Sequence, residues 1–293
     1  MRKGLATTAP YRWTPAAARV PCAEYRCPAH TDEGPPPRYP NLVTPHQRAI
    51  ATRFLDAAGA EREPIVVALS GAHAYGFPSP DSDLDLKGIH VAPTRALLGL
   101  RPETPPVEHI EFVEGVELDY SSHELGMVLH GILKGNGNFI ERILGDLLLI
   151  RTPLLAELQP LVRASLSLRS HHHYRGFALN QRKEAEKTRR AKKVLYVLRT
   201  TLTGAHLLRT GELVTDVTRL APLYGFELDD LLEAKSKAEK QALDDAAYVR
   251  AEHRMDRAFV TLDEALTLSA LPLDAPNLHE VDAWLVETRL RRA

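Results

Sequence analysis

Apolar and polar positions change period midway along this chain. The run Ile65-Val66-Val67-Ala68-Leu69 is continuous and short, as in a strand covered on both faces, and predicts strand Ile65 to Ser70. The alternation Asp83-Leu84-Asp85-Leu86-Lys87 opens a second strand, Leu84 to Val91. Ile110 to Val113 and Val116 to Tyr120 read as a hairpin turning at Glu114-Gly115. Ahead of the strands, Thr44-Pro45 offers an N-cap followed by Pro at the first helical position. That helix is expected to run to Ala58, with Gly59 beyond it. From Ser122 the period becomes helical. Leu125, Val128, Leu129 and Ile132 form one stripe, and Phe139, Ile140, Ile143 and Leu144 form another. Pro160, Gly211, Pro222-Leu223-Tyr224-Gly225 and Pro272 are the expected separators of the helices that follow. The chain therefore divides into a Pro-rich arm (1–43), a small α/β core (44–121) and a helical region (122–293).

Composition narrows the classes. The 293 residues are 44% hydrophobic and 26% charged, as in a soluble globular protein. No apolar run approaches membrane-spanning length, and Met1-Arg2-Lys3-Gly4-Leu5 lacks the features of a secretory signal. Two cysteines make no disulfide framework, so a cytoplasmic protein with no membrane partner is expected. Cys22, Cys27 and His30 are too few and too loosely spaced for a zinc site. The net charge of −1 is uninformative because the charges are unevenly placed.

The chemistry concentrates in two clusters. In a strand Asp83, Asp85 and Lys87 share one face while Leu84 and Leu86 point to the other. Paired carboxylates on a core-building strand repel one another, and a hard divalent cation would remove that repulsion. Glu117 and Asp119 share a face of the later strand, so alternation alone does not separate them. Ser70 and Gly71 close the first strand. There the hydroxyl and a backbone without Cβ can approach phosphate, with His73 and Tyr75 in the same turn. Lys87 could meet phosphate or pair with an acid. The second cluster is the basic stretch Gln181 to Arg199, where Lys192, Tyr196 and Arg199 fall at i, i+4 and i+7 on one helical stripe. His171-His172-His173 point in different directions on a helix and form no metal site.

The linked order Ser70-Gly71, then Asp83-x-Asp85 on the next strand, resembles the signature of the polymerase-β-like nucleotidyltransferases. Its wording, with Ala74-Tyr75-Gly76 and Asp81-Ser82-Asp83-Leu84-Asp85, is similar to the bacterial and phage branch that includes the RNA-ligase-associated enzymes. Asn136-x-Asn138-x2-Glu141, His172-His173-Tyr174-x-Gly176-Phe177 and the Lys192/Tyr196/Arg199 helix extend the likeness over about residues 64 to 212, with Gly137-Asn138 where the family reads Asn-Pro. The resemblance implies an α+β fold, a small mixed-sheet nucleotidyltransferase core followed by a helical region. It implies transfer of an NMP from an NTP, ATP included, to an acceptor hydroxyl, with pyrophosphate released. Mg²⁺, or Mn²⁺ in its place, would be held by Asp83, Asp85 and Asp119. Asp119 is preferred over Glu117 because the family's third acid precedes a Ser-x-x-Glu helix start, here Ser121-Ser122-His123-Glu124. Ser70, Gly71, Lys192, Tyr196 and Arg199 would bind nucleotide. RNA is the expected acceptor; a protein side chain, a small molecule, or a non-catalytic nucleotide-binding module are the alternatives.

Overall fold

Helix α1, Pro45–Gly59, begins where Thr44 and Gln47 cap each other: the Gln47 amide donates to Thr44 Oγ1 at 3.1 Å, and the Thr44 amide donates to Gln47 Oε1 at 3.1 Å. This computed structural model describes residues 43–59, 63–79, 82–98, 100, 102, 105–237 and 241–293. Apart from Val43, the expected N-terminal arm with Cys22, Cys27 and His30 lies outside the described residues, as does Asp81.

Strand β1 (Glu63–Leu69), the single-turn α2 (Gly71–Ala74), β2 (Leu84–Val91), α3 (Thr94–Leu97), β3 (Val107–Val113) and β4 (Val116–Glu124) follow. Then come α4 (Leu125–Leu133), α5 (Gly137–Leu144), β5 (Leu148–Arg151) and α6 (Pro153–Ala164). Helices α7 (Ser170–Thr188), α8 (Ala191–Thr210), α9 (Val217–Leu223), α10 (Asp229–Lys237), α11 (Asp245–Leu268) and α12 (Leu278–Leu290) complete the fold. The sheet is mixed and ordered β3-β4-β2-β1-β5. Among the described strands only the β2–β4 pairing is parallel, and it sets Asp85 opposite Asp119. Glu114 and Gly115 both take positive φ (50° and 85°), the primed turn whose twist suits a two-residue hairpin. The architecture is α+β, as the sequence led one to expect.

The two sheet faces differ. Val67, Leu69, Leu84, Leu86, Leu118 and Tyr120 pack with Ile50, Ala51 and Leu55 of α1. The opposite face is apolar only where Ile65, Val66, Ile89 and Val91 meet α4, α5 and α6. Its other end carries Asp85, Lys87 and Asp119, all partly exposed.

Three expectations are corrected. Ser121-Ser122-His123-Glu124 does not start a helix; it is the end of β4, held in ladder register with Lys87 to His90. It pairs with β2 along its whole length and with β3 at Ser121 and Ser122, and the Ser122 hydroxyl meets His90 Nδ1 at 2.8 Å. Glu124 is itself the N-cap of α4, accepting from the amides of Gly126 at 2.7 Å and Met127 at 3.3 Å. Pro160 separates nothing, since it lies inside α6, whereas the stretch Pro222-Leu223-Tyr224-Gly225 does close α9, which ends at Leu223. Buried Leu154, Leu155, Leu158 and Val162 hold α6 on both sides of a residue that disfavours helix by about 3 kcal/mol. Finally, the stretch 122–293 is not wholly helical, because β5 within it adds an edge strand beside β1.

Helices α5 and α8 are tied by one buried ion pair. Arg199 donates to both Glu141 oxygens, at 2.9 and 2.7 Å, and is 2% exposed. Its guanidinium lies 3.5 Å from the centroid of the Tyr75 ring, and Tyr75 in turn hydrogen-bonds Ser70 at 3.1 Å, hydroxyl to hydroxyl. Arg199→Ala should destabilise the fold by about 3–5 kcal/mol in urea titrations, because it strands a buried Glu141 charge. Replacing both partners, Glu141→Leu with Arg199→Met, should restore most of that loss.

Candidate active site

The site is built around the end of β1. Gly71 has φ of +63°, and a Cβ placed on it would overlap the Asp85 carboxylate. The Ser70 amide donates to the Asp85 carbonyl at 2.8 Å, so the turn and β2 are locked together by their main chains. Only glycine combines that left-handed backbone with the close approach. The His73 side chain hydrogen-bonds the Asp83 backbone, fixing the entry to β2, and burial holds the pKa of its imidazole down. Asp83 is exposed just ahead of the strand, Asp85 follows on the sheet face, and Asp119 sits in register with Asp85. Glu117 lies nearer the hairpin turn, exposed and paired with Phe112.

Electrostatics mark Asp85 as the focus. Burial is the largest cause raising its pKa to about 6; Asp119 and Asp83 add to it, while Lys87 and Lys192 oppose it. Lys87 Nζ donates to Asp119 Oδ2 at 2.9 Å. Among the described residues, no group of three or more His, Cys, Asp or Glu side chains is gathered closely enough to hold a metal. The donors present are nonetheless carboxylate oxygens, and Mg²⁺ commonly needs only one or two of these plus substrate phosphates. Asp83 and Asp85 fit that requirement, and Asp119 fits once it parts from Lys87.

The basic stripe is only partly as expected. Lys192 reaches Asp85 electrostatically and is half-buried. Tyr196 packs edge-on against Tyr75 and Phe77, at 5.6 and 5.5 Å between centroids. Burial raises its pKa, with Asp85 and Asp83 among the further causes, so it too lies near the carboxylates. Arg199 does not fit the expected role: ion-paired and enclosed, it buttresses Tyr75 rather than offering a charge to a triphosphate. Basic residues preceding α8 are also engaged. Arg182 pairs with Glu186 and Asp256, and Arg189 with Asp245.

A pocket of ≈ 190 Å³ opens beside Ser70 and Tyr75, lined also by Lys87, Asn138, Arg142 and Thr215. Sequence reasoning missed Arg142. It sits within the amphipathic run of α5, where its neighbours Ile140 and Ile143 are core, and no motif distinguishes it from a surface arginine. Asn136 caps α5 by accepting from the Asn138 amide at 3.0 Å. Gly137 is the first residue of that helix, and a Cβ there would press on His173 and Tyr174.

Because Asp85 has a raised pKa in the native state, its protonated form contributes stability below its unfolded pKa of about 4, and that contribution is lost as pH rises through about 6. Asp85→Asn in chelator should therefore melt higher than the wild type at pH 8, by on the order of 1 kcal/mol, and nearly alike at pH 4. Thermal melts at the two pH values check this; an equal shift at both would contradict it. Gly71→Ala should be destabilised at every pH, by about 1–2 kcal/mol for the left-handed backbone alone.

Comparison with known proteins matches residues 48–287 to RlaP, the RNA repair pathway DNA polymerase beta family. An uncharacterized protein of Methanocaldococcus jannaschii is 29% identical over 218 residues, which span 73% of this chain and 88% of that protein. The crystal structure of a nucleotidyltransferase-like protein from Exiguobacterium sibiricum aligns over 83% of this chain and 80% of that one. Its identity is 12% and its TM-score 0.32, too low to bear on the fold. No helix among the described residues is long and apolar enough to cross a membrane. With the family match covering most of the sequence, the chain belongs to the RNA repair pathway DNA polymerase beta family and is a nucleotidyltransferase of the polymerase-β-like type.

Proposed function

We propose that this protein transfers an NMP from an NTP to a hydroxyl of RNA in a Mg²⁺-dependent reaction. The observation that carries the reading is the Asp85 carboxylate seated against Gly71, with Asp83 beside it and Asp119 opposite in register. Asp83, Asp85 and Asp119 would hold the cation. When bound, it would neutralise charge on the triphosphate and on the attacking oxygen. The acceptor hydroxyl oxygen attacks the α-phosphorus and forms a new P–O bond. The bond to the α–β bridging oxygen breaks, and pyrophosphate leaves with its electron pair. The hydroxyl proton passes to Asp119 and on to water.

Around that transfer the chain's own groups have distinct tasks. Ser70 and the Gly71 backbone border the phosphate side of the site. Lys192 and Tyr196 of α8 border the carboxylates from above, where a nucleotide must lie. Lys87 holds Asp119 until substrate arrives. The RNA acceptor is supported by the family's description and by exposed Lys183 and Lys187 on α7, which are suited to a phosphate backbone. A cytoplasmic location follows from this assignment together with the near absence of cysteine.

Each labelled NTP should be incubated with Mg²⁺ or Mn²⁺ and, separately, tRNA, oligoribonucleotides, proteins and small hydroxyl acceptors. Label is expected in RNA. Asp85→Ala should lower that incorporation by at least about 100-fold, the scale of losing a principal charge-stabilising group. Asp119→Asn should approach the same loss, whereas Glu117→Gln should stay within about threefold of the wild type, as an exposed surface change does. Full activity in Asp85→Ala would overturn the catalytic reading, and label in protein or a small molecule alone would overturn the RNA acceptor.

A further inference from the structure

Arg142 stands out once the charges over the sheet face are paired off. The two carboxylates that act on it are already bound: Asp119 by Lys87 at 2.9 Å, and Glu141 by Arg199 at 2.7 Å. Its own partners are neutral. Nη1 donates to the Gly88 carbonyl at 3.2 Å and to His123 Nδ1 at 2.8 Å. Burial first, then Arg142 itself, lowers the His123 pKa to about 4, so that ring is a neutral acceptor at physiological pH. The Arg142 guanidinium also lies 5.3 Å from the Phe139 ring centroid. It is thus fixed from several sides without a counter-ion among the described residues, and Nε and Nη2 have no protein partner there.

A half-buried cation placed in this way is costly unless an anion arrives. Burial lowers the pKa of Arg142 to about 10, which records that cost. The group lines the ≈ 190 Å³ pocket, along with Ser70, Lys87 and Asn138. Two carboxylates border the same pocket, but Glu141 is neutralised by Arg199 and Asp146 lies 3.2 Å from Arg219. The volume falls below the ~300–1,000 Å³ that encloses a whole drug-sized ligand. It suits a compact anion rather than a nucleoside.

We propose that Arg142 is the anchor for the pyrophosphate portion of the nucleotide, the role that its position in the sequence gave to Arg199. The guanidinium keeps a planar pair of donors for bidentate recognition of phosphate oxygens. Lys87, released from Asp119, would supply the adjoining charge. The anion would enter past Ser70, which lines the same pocket. The assignment rests on the nucleotidyl-transfer reading but can fail independently of it.

The test is pyrophosphate binding by calorimetry in excess chelator, where no metal contributes. Wild-type protein should bind, and Arg142→Met should bind about 10- to 100-fold more weakly, the range for losing charged hydrogen bonds. Arg142→Lys should recover part of the loss. In turnover the Met variant should raise the KM for NTP more than the KM for RNA. Asp85→Asn should lose transfer yet keep chelator-resistant pyrophosphate binding, which separates the two readings. Should Arg142→Met fail to fold, modification of wild-type Arg142 by phenylglyoxal can be followed by peptide mass spectrometry, with and without pyrophosphate. Protection of Arg142 supports the anchor. An unchanged modification rate, or unchanged pyrophosphate affinity in folded Arg142→Met, overturns it.

Discussion

A carboxylate that cannot be fully hydrated and cannot be discarded governs the second face of this sheet. Asp85 stands between core residues Leu84 and Leu86, so the alternation that buries the leucines also brings the acid against the body of the protein. Other features answer to that constraint. Gly71 has no Cβ because the Asp85 carboxylate takes its space. Lys87 and Lys192 stand where they temper the local negative charge. The turn carrying Ser70 is backed by Tyr75, which is backed by Arg199, which is held by Glu141. An α5–α8 ion pair thereby stiffens a β1–α2 turn distant from it in sequence.

The strands that carry the carboxylates were legible because their signals are local. Period-two alternation fixed which side chains share a face, and the residue pair Glu114-Gly115 fixed the hairpin. Parallel pairing of β2 with β4 then added what alternation could not supply: a register that puts Asp119, and not Glu117, across from Asp85. Other elements were illegible for physical reasons. The segment Leu148–Arg151 is four residues long, with no alternation to mark it, and becomes a strand only because β1 offers an open edge. Ser121–Glu124 has the letters of a capping box, yet the β2 ladder along its length, with β3 beside Ser121 and Ser122, outweighs a local cap.

Helix α8 shows the limit of reading a stripe. Lys192, Tyr196 and Arg199 do lie on one side of the helix, but a spacing rule gives direction around an axis and says nothing of depth. Lys192 is half-buried, Tyr196 is wedged among aromatics, and Arg199 is sealed in by Glu141. A buried arginine with a bidentate carboxylate has its charge already satisfied. Arg142, which no motif announces, has neutral partners. The difference between the two arginines is set by which one found an acid during folding, and that is a property of tertiary packing alone.

The same pairing logic bears on how the site handles an empty state. Three acids on one face would repel strongly, and the Lys87–Asp119 contact removes one of them from the balance. On the proposed reading, that contact would also withhold Asp119 from any cation arriving alone. A triphosphate changes both conditions together, because its oxygens can draw Lys87 away and can themselves complete the coordination of a hard metal. On the proposed reading, cation and nucleotide therefore bind cooperatively: each lowers the electrostatic cost of the other, and by linkage the effect is reciprocal. On that reading the site would stay in a lysine-neutralised resting state until both are present, and would need no preformed three-carboxylate cage.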